Sequence, residues 1–102
     1  MIEVTDSTFE AEVLRSHVPV IVDFFADYCG PCRLLKPVLN ALAESLGDKV
    51  KVVTVDVVAN EGLAQAHQIE AIPTIIVFEN GVQRHRLVGL KDLHYLREAL
   101  AV

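Results

Sequence analysis

Between Val18 and Ala26 the chain reads Val-Pro-Val-Ile-Val-Asp-Phe-Phe-Ala, apolar at almost every position. A strand with one wet face alternates apolar and polar residues, so a run apolar on both parities belongs in the middle of a sheet covered on both faces. Pro19 is confined to its start, where a missing ladder donor is tolerated. The segment predicts a central strand with helices above and below it, the spine of an α/β domain. At 102 residues the chain suffices for one such core and is too short for two, so residues 1–102 are expected to form a single domain.

The flanking patterns supply the other layers. Ile2 to Val4 is a short strand candidate. Ser7-Thr8-Phe9-Glu10 predicts a helix to about Ser16, opened by a capping box in which Ser7 caps and Glu10 reaches back, with Phe9, Val13 and Leu14 toward the core. From Cys29 to Leu46 the residues Leu34, Leu35, Val38, Leu39, Leu42, Ala43 and Leu46 recur at helical spacing, with Arg33, Lys36, Asn40 and Glu44 opposite and Gly47 as the stop. Pro37 inside this helix removes a backbone donor and is expected to kink it. Val50 to Asp56 reads as a strand, and Asn60-Glu61 opens a short helix to about Gln68. Thr74–Glu79 and Val82–Val88 form a hairpin through Asn80-Gly81, and Asp92 caps a last helix carrying Leu93, Leu96 and Leu100. The order βαβαβαββα implies a mixed sheet with helices on both faces and right-handed crossovers.

Both cysteines of the chain lie in Tyr28-Cys29-Gly30-Pro31-Cys32, where the central strand gives way to the long helix. A disulfide between them closes a four-residue loop, worth only about 2 kcal/mol before strain. A staple meant for stability would span more chain, so the pair reads as a reversible dithiol/disulfide couple. A cysteine in the first turn of a helix meets free backbone N–H groups and the positive end of the macrodipole, which favour its thiolate. Cys29 is therefore the better nucleophile. Cys32, nearly one turn deeper on the same face, is the resolving thiol. Gly30 and Pro31 meet the ordinary demands of a strand-to-helix turn. The competing readings are a buried structural pair or half of a zinc site. His17, His67, His85 and His94 are scattered without the spacing of a zinc ligand pair, so no metal site is expected. Asp23 is a carboxylate inside the most apolar run, where an unpaired charge would cost several kcal/mol, so its pKa should rise unless the side chain reaches solvent or caps a neighbour.

These features together resemble the thioredoxin family over nearly the whole chain. The resemblance rests on Val22-Asp23-Phe24-Phe25-Ala26, Cys29-Gly30-Pro31-Cys32, Pro37, Asp56, Ile72-Pro73-Thr74, Asn80-Gly81 and Val88-Gly89, in order and at family spacing. It implies a thioredoxin fold, a five-stranded sheet of order 1-3-2-4-5 with Cys29 just past the carboxyl end of the second strand. It also implies a protein-disulfide reductase, with Gly-Pro between the cysteines as in reducing members. Asp23 would be the buried acid that exchanges a proton with Cys32, and Pro73 a cis proline beside the disulfide. The backbone of Ile72 would pair with the substrate chain. Tyr28, Ile72, Pro73, Val88, Gly89 and Leu90 would form the apolar rim on which partners dock. Two departures stand out. Tyr28 and Phe25 occupy positions where the family usually has tryptophan, and the lysine usual near the buried aspartate is matched to Val52, with Lys51 on the opposite face.

The resemblance further implies no bound cofactor, electrons from NADPH through a flavin-containing thioredoxin reductase, disulfide-containing target proteins as partners, and a monomer. No apolar run approaches the roughly 20 residues of a membrane span, and Met1-Ile2-Glu3-Val4 lacks a signal-peptide pattern, so a cytoplasmic protein is expected. Two cysteines in one motif fit a reducing compartment. A net charge of −5 argues against nucleic acid or an anionic membrane as the main partner, and Arg84-His85-Arg86 reads as a solvated edge-strand face. Two rival functions remain open on these grounds. One is a specialised oxidoreductase with narrow targets or another donor. The other is a non-enzymatic subunit that holds a partner on the apolar rim, with the thiols incidental.

Overall fold

The spine run forms β2 (Val20–Phe25), and the computed structural model, which describes residues 1–101, arranges every other strand outward from it. On one side β3 (Lys51–Asp56) runs parallel to β2, with β1 (Ile2–Glu3) parallel beyond it. On the other side β4 (Thr74–Glu79) is antiparallel to β2, and β5 (Val82–Val88) closes that edge antiparallel to β4. The order is β1-β3-β2-β4-β5, as expected for the thioredoxin fold.

The alternating side chains of β2 serve two separate cores. Ile21 packs with Leu35, Leu39 and Leu42 of α1 (Gly30–Leu46) and with Leu96 and Leu100 of α3 (Leu93–Leu100). Val20, Val22 and Phe24 pack on the opposite face with Phe9 and Val13, and against Leu63 of α2 (Glu61–Ala66). This two-sided burial is why the run carries no polar alternation. Asp23 is the exception on the α1 face and is 2% exposed.

Helix ends and turns follow their local chemistry, with corrections. Gly47 ends α1 with φ +59, and Asp92 caps α3 by accepting the Tyr95 N–H at 2.8 Å. Asn80 and Gly81 both have positive φ, as the two-residue hairpin turn requires. The helix runs on through Pro37 to Leu46. The first helical segment does not start at Ser7. Thr5 opens it: its carbonyl accepts the Phe9 N–H at 2.9 Å, and its own N–H donates to Thr8 Oγ1 at 2.9 Å. That is one half of a capping box displaced by two residues, with threonine in the place expected for Glu10; the Thr8 N–H goes to the Thr5 carbonyl and not to its hydroxyl. Glu10 instead lies 3.4 Å from Arg15 on the surface. The segment then widens at Glu10–Leu14, where the Arg15 N–H reaches the Glu10 carbonyl five residues back, and Leu14 turns outward to 36% exposed. Leu34 is likewise outside the buried stripe of α1, at 63% exposed. The stripe is Cys32, Leu35, Leu39 and Leu42, and Leu34 lies one position off it.

Two polar clamps were not visible in the pattern. Asp6 caps α2 from outside, its Oδ1 accepting the Leu63 N–H, while the buried Asn60 accepts the Asp6 N–H at 2.9 Å. Arg86, one of the three basic residues of β5, donates to the carbonyls of His67 and Gln68 at the end of α2. It works as a C-terminal cap and not only as a solvated edge charge.

Candidate active site

Cys29 is the N-cap of α1, with extended backbone, and Pro31 sits in the first turn, where its missing N–H costs nothing. The chain leaves β2 at Phe25 and turns through Ala26 to Tyr28, with the Cys29 N–H donating to the Ala26 carbonyl at 3.2 Å. Cys29 and Cys32 are joined in a disulfide with Cα atoms 5.2 Å apart. The Cys32 N–H donates to Cys29 Sγ at 3.1 Å, so a free donor of the helix start is aimed at the sulfur expected to carry charge. Both residues are buried, Cys29 at 7% and Cys32 at 4% exposed, and they cluster with Ala26, Phe25, Val57 and Ile72.

The loop before β4 closes over this pair. The Ile72–Pro73 peptide is cis, as the resemblance implied, and the Ile72 carbonyl oxygen lies 3.8 Å from Cys29 Sγ. Gly89, at φ +98 just after β5, donates its N–H to the Pro73 carbonyl at 2.8 Å. Two of the rim segments expected from sequence are thus tied to each other. Pro73 is buried and Ile72 partly so, whereas Tyr28 (74%), Val88 (50%) and Leu90 (42%) are exposed.

Behind the disulfide lies a cavity of about 140 Å³, lined by Asp23, Phe25, Cys32, Lys36, Asn40, Thr54, Met1 and Glu3. Asp23 and Cys32 therefore border one space. Asp23 Oδ1 is buried without a protein hydrogen-bond partner. Burial pushes its carboxyl up to about 7, with the Lys36 ammonium acting in the opposite direction. The position opposite Asp23 in the β2–β3 ladder is Thr54, and Val52 pairs with Ile21 deeper in the core. The expected gap at Val52 is thus corrected: the uncharged residue beside the aspartate is Thr54. Lys51 faces the other way, bonding Glu12 through Nζ. Sequence reasoning missed both Thr54 and Lys36 as site residues. The spacing of Cys32 and Lys36, one helical turn apart, was the available signal.

Among the described residues, no group of three or more His, Cys, Asp or Glu is placed to hold a metal ion, and no helix is long and apolar enough to cross a membrane. A dithiol pair at the start of the helix that follows the central strand of this sheet defines a thioredoxin-fold thiol–disulfide oxidoreductase. The comparisons agree. The family model described as Thioredoxin matches residues 1–102. Thioredoxin of Rickettsia felis is 42% identical over 93 residues, spanning 91% of this chain and 89% of that protein. Thioredoxin 1 of Synechococcus elongatus is 45% identical over 86 residues, spanning 84% and 80%, and thioredoxin 1 of Nostoc sp. 46% over 87 residues, spanning 85% and 81%. The chain belongs to the thioredoxin family, and its chemistry is dithiol/disulfide exchange. A partner-holding role with incidental thiols is not favoured.

Proposed function

We propose that this chain is a general protein-disulfide reductase in which Cys29 is the nucleophile and Cys32 the resolving thiol. The observation that carries this assignment is the hydrogen bond from the Cys32 N–H to Cys29 Sγ at the helix N-terminus. The Cys29 thiolate attacks one sulfur of a target disulfide, forms a mixed disulfide and expels the second target sulfur, which takes up a proton. Cys32 gives its proton to Asp23 across the shared cavity, attacks Cys29 Sγ and releases the other target thiol. Two electrons pass to the target, and Cys29–Cys32 is left oxidised.

The target chain lies along Ile72 and Pro73, with its backbone paired at Ile72 and its apolar side chains on Tyr28, Val88, Gly89 and Leu90. Support comes from the exposure of Tyr28, Val88 and Leu90 and from the Gly89 N–H bond to the Pro73 carbonyl, which ties two of these segments together. The dithiol is restored by a thioredoxin reductase, a flavin enzyme drawing on NADPH, and the chain works without a bound cofactor as a monomeric, single-domain protein of the cytoplasm. The test is the rate of insulin disulfide reduction with dithiothreitol as reductant, for the wild type and Cys29→Ser. Catalysis by the wild type that is lost in the variant is expected. A folded wild type that does not accelerate the reaction overturns the general-reductase reading.

A further inference from the structure

We propose that Lys36 is a positioning residue of the exchange reaction: from α1 it supplies the positive charge at the cavity of Asp23 and Cys32 that keeps Asp23 able to ionise. The inference rests on the reading of Asp23 as the proton acceptor for Cys32.

The cavity walls narrow the choice. From β3 comes Thr54, which carries no charge, and from the β1 side Met1, which bears the α-amino group, and the exposed carboxylate of Glu3. From α1 come Cys32, Lys36 and the uncharged Asn40. Lys51 is committed to Glu12 on the far face of the sheet. Lys36 is the one cationic side chain among the lining residues, and it takes part in none of the ion pairs among the described residues. It stands one helical turn beyond Cys32, flanking the buried stripe that carries the resolving thiol. A carboxylate at Asp23, with one oxygen lacking any protein partner, has no other cationic side chain lining its cavity to offset its desolvation. The direction of the Lys36 effect on the Asp23 carboxyl agrees with this geometry.

The placement has a consequence that a buried cation would not give. Lys36 is exposed, so its field at Asp23 passes partly through solvent and is open to screening by salt. In the resolving step the proton moves from Cys32 Sγ to Asp23, the new Cys32 sulfur bonds to Cys29 Sγ, and the target thiolate leaves. Lys36 neither gives nor takes a proton. It sets how readily Asp23 receives one.

The test is a carboxyl carbon NMR titration of Asp23 in the oxidised protein, together with the pH profile of insulin reduction, for the wild type, Lys36→Met, Lys36→Arg and Asp23→Asn. Lys36→Met is expected to raise the Asp23 midpoint by about one pH unit and to move the pH–rate profile alkaline by the same amount, a tenfold loss of ionised Asp23 on the acid side. Lys36→Arg restores both. Salt near 1 M, where the Debye length is about 3 Å, moves the wild type toward Lys36→Met and leaves that variant in place. An Asp23 midpoint indifferent to Lys36→Met, or a profile lowered at every pH without a shift, overturns the proposal. Asp23→Asn reads the premise separately. A variant as fast as the wild type at all pH values removes Asp23 from the reaction, and with it the role of Lys36, whatever the titration shows.

Discussion

Asp23 and Thr54 face each other across the β2–β3 ladder, on the side of the sheet covered by α1. A buried carboxyl thus has a hydroxyl-bearing neighbour where a cation could stand, and the one cationic side chain lining its cavity comes from a helix instead. Placing the charge on the sheet should reverse the effect of desolvation. Thr54→Lys is expected to lower the Asp23 midpoint from about 7 by about one pH unit or more. Insulin reduction should then persist to lower pH. An unchanged midpoint by carboxyl NMR in a folded variant would show that a charge at residue 54 does not reach Asp23.

The same carboxyl ties stability to pH. Its unfolded value is 3.8 and its folded value about 7, so between these pH values the native state holds the extra proton. The contribution of Asp23 to stability is intact below the unfolded value and is lost as pH rises through the folded one. The span of about 3 units corresponds to on the order of 4 kcal/mol. Asp23→Asn removes the titration, so its stability relative to the wild type should improve by a few kcal/mol between about pH 4 and about pH 8. Urea unfolding of both proteins at the two pH values checks this. A constant difference between them would mean that Asp23 titrates alike in the folded and unfolded chains.

What was legible in the sequence divides by the range of the signal. The β2 run, the Cys29–Cys32 pair and Asn80-Gly81 are local patterns whose physics is complete within a few residues, and each took its expected place. The opening helical turn was misread because Thr5, Ser7 and Thr8 all offer hydroxyls within one turn. Only the fold around them decides which backbone N–H groups need a partner. Leu14 and Leu34 look like core residues by composition but lie one position off the buried stripe, a difference smaller than the uncertainty of where a helix starts. Thr54 was displaced to Val52 because the two share a face of β3, and only the register of two strands distant in sequence separates them. Lys36 carried only its one-turn spacing from Cys32, and an exposed lysine on a helix is ordinary until a cavity opens beside it.

The tip of the β4–β5 hairpin makes a contact that its own turn chemistry does not require. Gly81 has φ +78, and a Cβ built there would lie 3.1 Å from the Leu14 carbonyl oxygen, at the end of the widened helical segment. Alanine at this position therefore meets two costs, a left-handed backbone and a close approach to a backbone oxygen. Together these amount to about 1–2 kcal/mol. Asn80, at φ +52 in the same turn, allows the comparison: Asn80→Gly relaxes the backbone and should change stability by no more than about 0.5 kcal/mol. Urea midpoints of Gly81→Ala and Asn80→Gly, with insulin reduction measured beside them, separate stability from the distant active site. Gly81→Ala should unfold at lower urea while its rate holds. A midpoint equal to that of the wild type would mean that the hairpin tip moves away from Leu14 without penalty, and that the contact does not contribute to holding the edge of the sheet against the first helical segment.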